Sequence, residues 1–163
     1  MLAITSTAAL AFLIPNVPLA LWTIFTDLRS MRISNMTIIA MIAAFIVIGP
    51  FVLQLDAYLW RFAQFGVVLV IAILLNAIGG FGAGDGKYAA AAALFIDRED
   101  AMFVLLLLGV SALMTVVLVE FARRTPLHKL APDWESWKSK RQYPMGLGLG
   151  VTMMIYLALG AFS

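Results

Sequence analysis

A chain of 163 residues that is 63% hydrophobic, 12% charged and formally +2 is too apolar for water. Ordinary soluble domains carry roughly 45–50% apolar and 25% charged residues. One core of this size cannot hide the excess, so the surrounding solvent is lipid. The absence of cysteine removes disulfide frameworks, thiol chemistry and Cys-based zinc sites together, and with His128 as the single histidine a His-rich metal site or a Ser-His-Asp triad is disfavoured.

The first apolar stretch, Leu2 to Phe25, has no positive n-region and exceeds the roughly 7–15 residues of a signal-peptide core, so it is predicted to be a membrane span. Pro15 and Pro18 are expected to kink it. Ile33 to Leu55 gives a second span and Tyr58 to Phe81 a third, each near the roughly 20 apolar residues that a bilayer requires. A short fourth piece, Tyr88 to Ile96, runs into Asp97-Arg98-Glu99-Asp100. Ala101 to Phe121 is the fifth span and Met145 to Phe162 the sixth, separated by the long polar segment Ala122 to Gln142. With no internal repeat, the expectation is one transmembrane domain over 1–163, all-α, with six helices of which the fourth is short, and no soluble domain.

The basic residues orient it. If the first helix runs outside to inside, the inner loops hold Arg29, Arg32, Lys87, Arg123, Arg124, Lys129, Lys138, Lys140 and Arg141, and the outer loops only Arg61 and Arg98. Lys and Arg favour the cytoplasmic side, so both termini are expected outside, in the periplasm of a bacterial inner membrane. Asp27, closing the first helix, and Asp85, opening the fourth, then fall in the same leaflet. From Asp85 to Asp97 is about 18 Å of helix against a hydrocarbon layer of about 30 Å, which places Asp85 below the inner surface if Asp97 lies at the outer one. Irregular backbone at that depth must be buried in protein or line a wet cavity. The stretch Gly79-Gly80-Phe81-Gly82-Ala83-Gly84 is expected to supply it, since glycine accepts positive φ and allows close approach.

A carboxylate in such a setting is costly and marks function by default. Two of them close together in a poorly solvated cavity cannot both stay ionised and share a proton. The ionised member can take a proton from water attacking a carbonyl while the protonated one donates to the developing oxyanion. Plainer roles stand beside this one. Asp85 can cap the fourth helix, and Asp27 can pair with Arg29 or Arg32.

The remaining features have mostly structural readings. Lys87 is expected to snorkel to headgroups or to balance the acidic pair, Asn35 to cap the second helix or bond to the pocket, and Asn76 to line the cavity or bond a neighbouring helix. Gly82 and Gly84 either admit a scissile backbone beside Asp85 or form a tight helix start. Trp134 and Trp137, three residues apart beside Lys138, Lys140 and Arg141, read as an interfacial anchor. His128 reads as solvated, and the Gly-x-x-x-Gly spacing of Gly146 and Gly150 as close helix packing.

Asp27-Leu28-Arg29-Ser30-Met31-Arg32-Ile33-Ser34-Asn35 resembles the first block of the type IV prepilin peptidases, with Ser34 where that family usually has Pro. Gly82-Ala83-Gly84-Asp85, with Lys87 beyond, resembles their Gly-x-Gly-Asp block, and Tyr143-Pro144-Met145-Gly146 is similar to the start of their last helix with its order altered. The length is similar to short members serving tight-adherence (Flp-type) pili. The resemblance implies Asp27 and Asp85 as the catalytic pair. Gly82 and Gly84 are the candidate substrate-binding residues beside Asp85, and the two-carboxylate chemistry calls for neither metal nor cofactor. It implies cleavage of a short basic leader from a prepilin or pseudopilin, after a glycine and before a hydrophobic helix. Expected partners are that substrate and the lipid bilayer, with no nucleic acid. N-methylation, known in larger relatives that often carry a Cys-pair zinc insert, is not expected of a chain without Cys. Competing readings are a presenilin-like protease, whose first aspartate usually follows Tyr where Thr26 stands here, a small proton- or cation-coupled transporter subunit, and an inactive assembly factor.

Overall fold

The computed structural model describes residues 2–79, 82–138 and 142–163, and every regular element there is helical. The helices are α1 (Ser6–Ser30), α2 (Asn35–Val52), α3 (Leu55–Ala77), α4 (Ala83–Ala93), α5 (Ala101–Arg124), a 3-10 turn (Pro126–Leu130), α6 (Glu135–Lys138) and α7 (Met145–Ala161). Four of them, α1, α2, α3 and α5, are long and apolar enough to cross a membrane, and α7 is a shorter apolar helix. At 11 residues, α4 runs only about 16 Å, roughly half of a hydrocarbon layer.

Of the boundaries that differ from the sequence expectation, three bear on the site. Helix α1 is continuous through Pro15 and Pro18 and continues past Phe25 to Ser30. It stops where Met31 turns left-handed (φ 52°) and donates its N–H to the Asp27 carbonyl at 2.8 Å, so Asp27 sits inside the last turn. Helix α3 ends at Ala77, followed by Gly79 at φ +76°; Gly80 and Phe81, assigned by sequence to this region, lie outside the described residues. Helix α4 begins at Ala83, five residues before Tyr88, and takes Asp85 into its first turn.

Helix α1 packs along α7 and α2, α5 along α7, and α3 along α4, which also touches α2 and α7. The centre is aromatic. Phe95 meets Phe12 edge-on at 5.1 Å and Phe45 at 5.6 Å, while Tyr58 stacks on Phe45 at 5.2 Å. Gly49 admits that stack, because a Cβ there would come within 2.6 Å of the Tyr58 ring. Bulky side chains such as Ile14 and Phe51 remain 70% and 86% exposed, as helices surrounded by lipid require. The α1–α7 seam is set by glycine: a Cβ at Gly150 would meet Ile24 at 2.9 Å, and one at Gly160 would meet Ala9 at 3.0 Å.

One end of the bundle is tied by a polar network. Arg61, 2% exposed, pairs with Asp97 at 2.8 Å. Tyr156 donates to Asp100 at 2.9 Å and accepts the Asp97 N–H at 3.0 Å, while Asp100 accepts the N–H groups of Ala3 and Ile4. The N-terminus, α3, the α4–α5 turn and α7 are thereby joined. A buried guanidinium is tolerable only when paired in this way. The candidate site residues gather at the ends of α1 and α3 and the starts of α2, α4 and α7.

Candidate active site

Asp27 reaches the site because α1 extends one turn beyond its apolar run, and it ends up 4% exposed. What meets it is the start of α7. The first N–H groups of a helix have no partner within the helix. That of Gly146, the second residue of α7, donates to Asp27 Oδ2 at 2.6 Å. A Cβ on residue 146 would stand 2.9 Å from both Asp27 Cβ and Oδ2, so the bare glycine is what allows this approach. Carboxylates are favoured at helix N-termini for the same reasons that anions are.

Asp85 arrives from α4. Gly82 is the N-cap, with ordinary extended angles (φ −67°, ψ 138°), and Asp85 is the third helical residue. The plainer alternative, that Asp85 itself caps α4, is therefore not what the structure has. The positive φ expected of the Gly79–Gly84 stretch is found at Gly79 (φ +76°) and not at Gly82. Gly82 is needed for space instead: a Cβ there would collide with Asp85 Oδ2, whose carboxylate folds back over the helix start. Gly84 packs at ordinary distance on Ile33.

Both carboxylates open into one cavity of about 790 Å³. Its wall also includes Arg32, Asn35, Asn76, Gly82, Gly84, Lys87 and Gln142. Neither aspartate joins a salt bridge among the described residues, so pairing of Asp27 with Arg29 or Arg32 is not the arrangement here. Lys87 Nζ donates to Asn35 Oδ1 at 3.3 Å, bridging α4 to α2 at the cavity wall rather than only reaching outward. Asn35 is not the cap of α2. Ser34 holds the extended cap conformation and accepts the Met36 N–H at 3.2 Å, which frees the Asn35 side chain for Lys87.

The polar segment before α7 folds against this site. Trp134 and Trp137 stack at 5.8 Å, and Trp134 sits edge-on to Phe25 of α1 at 6.1 Å. The aromatic pair thus grips protein on one side, while Lys140 and Arg141 lie outside the described residues. His128 Nδ1 lies 2.6 Å from the Thr125 carbonyl and caps the end of α5, so solvation alone does not describe it. Sequence reasoning brought Asp27, Asp85, Gly82 and Gly84 together but missed Gly146 as the partner of Asp27. Its one sign was the Tyr143-Pro144-Met145-Gly146 block.

A model of the type IV leader peptidase family matches residues 8–119, more than half of the chain and a stretch containing both aspartates. Comparison with curated proteins and with solved structures returned no match.

Proposed function

The chain belongs to the type IV leader peptidase family, and from that premise we propose that it is a membrane-embedded aspartic endopeptidase with Asp27 and Asp85 as its catalytic pair. The observation that carries this reading is that aspartates from α1 and α4, 58 positions apart in sequence, open into one cavity at one end of an apolar helical bundle. Such a pair shares a proton. One carboxylate removes a proton from the attacking water, and the other donates to the oxygen of the scissile carbonyl. The Gly146 N–H fixes Asp27 through Oδ2 and leaves Oδ1 for the reaction. An extended substrate backbone passes along the cavity wall that Gly82 and Gly84 line beside Asp85.

The substrate is a prepilin or pseudopilin of the Flp type, cut between its basic leader and its hydrophobic helix. The excess of Lys and Arg on the loops at the cavity end supports a cytoplasmic site, with six spans counting α4 and α7, both termini periplasmic, in a bacterial inner membrane. A leader retained in the cytoplasm then reaches the cavity while the helix behind it stays in lipid.

Reconstituted protein mixed with a synthetic prepilin and followed by mass spectrometry tests the reading. The expected product has one new N-terminus, immediately after the glycine that ends the leader. Intact prepilin together with proton flux across the same vesicles would instead favour a transporter.

A further inference from the structure

The last turn of α5 carries an arginine whose bonds serve other parts of the chain. The Arg123 side chain is 11% exposed. Its Nη1 donates to Glu120 Oε1 at 3.0 Å, its Nε and Nη2 to the Ser136 carbonyl, and its Nη2 also to the Gln142 carbonyl at 3.2 Å. The guanidinium lies 5.1 Å from the centre of the Tyr143 ring, and the Tyr143 hydroxyl donates back to Glu120 Oε1 at 3.1 Å. Exposed ion pairs at helix ends are worth little. This one spends a planar fork of donors on backbone carbonyls from two other segments, which the compact ammonium of lysine cannot reproduce.

The clasp closes three residues before Gly146, the residue that donates to Asp27. Between them stands Pro144, whose φ of −70° is locked by its ring. With that φ fixed, one fewer backbone rotation separates the clasp from α7, so the placement of Gln142 and Tyr143 bears on the first turn of α7. Gln142 and Tyr143 also line the cavity.

We infer that Arg123, with Glu120 and Tyr143, is a positioning residue: it sets the start of α7 so that the Gly146 N–H holds Asp27 in the cavity. Its effect on cleavage rests on the peptidase reading; its effect on the Gly146–Asp27 bond does not.

The test uses the full chain in nanodiscs with ¹⁵N-glycine, the Gly146 amide being assigned by its loss in Gly146→Ala. In Arg123→Lys and in Tyr143→Phe, which removes only a hydroxyl, the Gly146 amide should move toward its position in Asp27→Asn, while Gly49 and Gly109 stay fixed. On a synthetic prepilin, kcat should fall about tenfold in Arg123→Lys, the scale of a sub-ångström misplacement, with KM little changed. Adding Glu120→Gln to Tyr143→Phe should cost little more than either alone. An unmoved Gly146 amide in Tyr143→Phe overturns the inference, as does a rise in KM at constant kcat, which would make Arg123 a substrate contact. If the wild type cuts no prepilin, the amide comparison still decides.

Discussion

Replacing Gly146 by Ala places a methyl group 2.9 Å from both Asp27 Cβ and Oδ2, where an ordinary Cβ contact begins at 3.4 Å. The difference, 3.4 − 2.9 = 0.5 Å, must come from moving the start of α7 or the carboxylate itself, because Asp27 Cβ is anchored to the backbone of α1. Productive catalytic geometry tolerates about 0.5 Å, and a misplacement of about 1 Å costs on the order of 10²-fold. The expected loss in kcat is therefore about tenfold, with KM nearly unchanged. Two neighbours on α7 are controls. Gly150→Ala meets Ile24 at the same 2.9 Å and Gly148→Ala meets Thr115 at 3.3 Å, but neither touches a carboxylate. Kinetics on reconstituted protein, alongside thermal unfolding in detergent, separates the cases. A folded Gly146→Ala enzyme with wild-type kcat would refute the reasoning, and an equal loss in Gly150→Ala would assign the effect to helix spacing instead.

The remaining predictions concern the other side of the cavity and the far end of the bundle. Gly82→Ala forces the Asp85 carboxylate off the start of α4 and should lower cleavage by about tenfold or more without preventing insertion, as quantitative immunoblots of membranes and processed substrate would show. Asp97→Asn leaves Arg61 buried without its counter-charge and should destabilise the protein by about 3 kcal/mol, read by denaturant unfolding in detergent, with little change in kcat per folded molecule. Because the chain has no cysteine, Asp27→Cys with Asp85→Cys introduces the only thiols, and a short bifunctional maleimide should join them within one chain. Doubly modified but unlinked protein would place the two side chains apart.

The two acidic blocks were legible because a carboxylate within apolar sequence has few uses, and because the neighbouring Arg29, Arg32 and Lys87 place both at one end by charge alone. The close packing of α7 was legible from the spacing of Gly146 and Gly150. What the sequence did not reveal were partners distant in the chain. Nothing local links Gly146 to Asp27, 119 positions away, and spacing on one helix does not report which neighbour it faces. Arg61 read as an outer-loop charge, yet it is 2% exposed, because its value lies in Asp97 on another turn. Gly82 read as admitting a substrate backbone or forming a tight helix start; its angles are ordinary, and the group that approaches it is the side chain of Asp85. Ser34 rather than Asn35 caps α2: either side chain can accept the first N–H groups, and Asn35 is bonded instead to Lys87 of another helix, a partner that local sequence does not report.

The central claim is that Asp27 and Asp85 jointly cut a prepilin, and co-expression of each single asparagine variant with that prepilin tests it most directly. Asp27→Asn and Asp85→Asn each keep the size of the side chain and remove its ability to ionise. The prediction is that both variants insert at wild-type levels and leave the leader attached, as read by intact mass of the pilin. Normal processing by either variant would contradict the account.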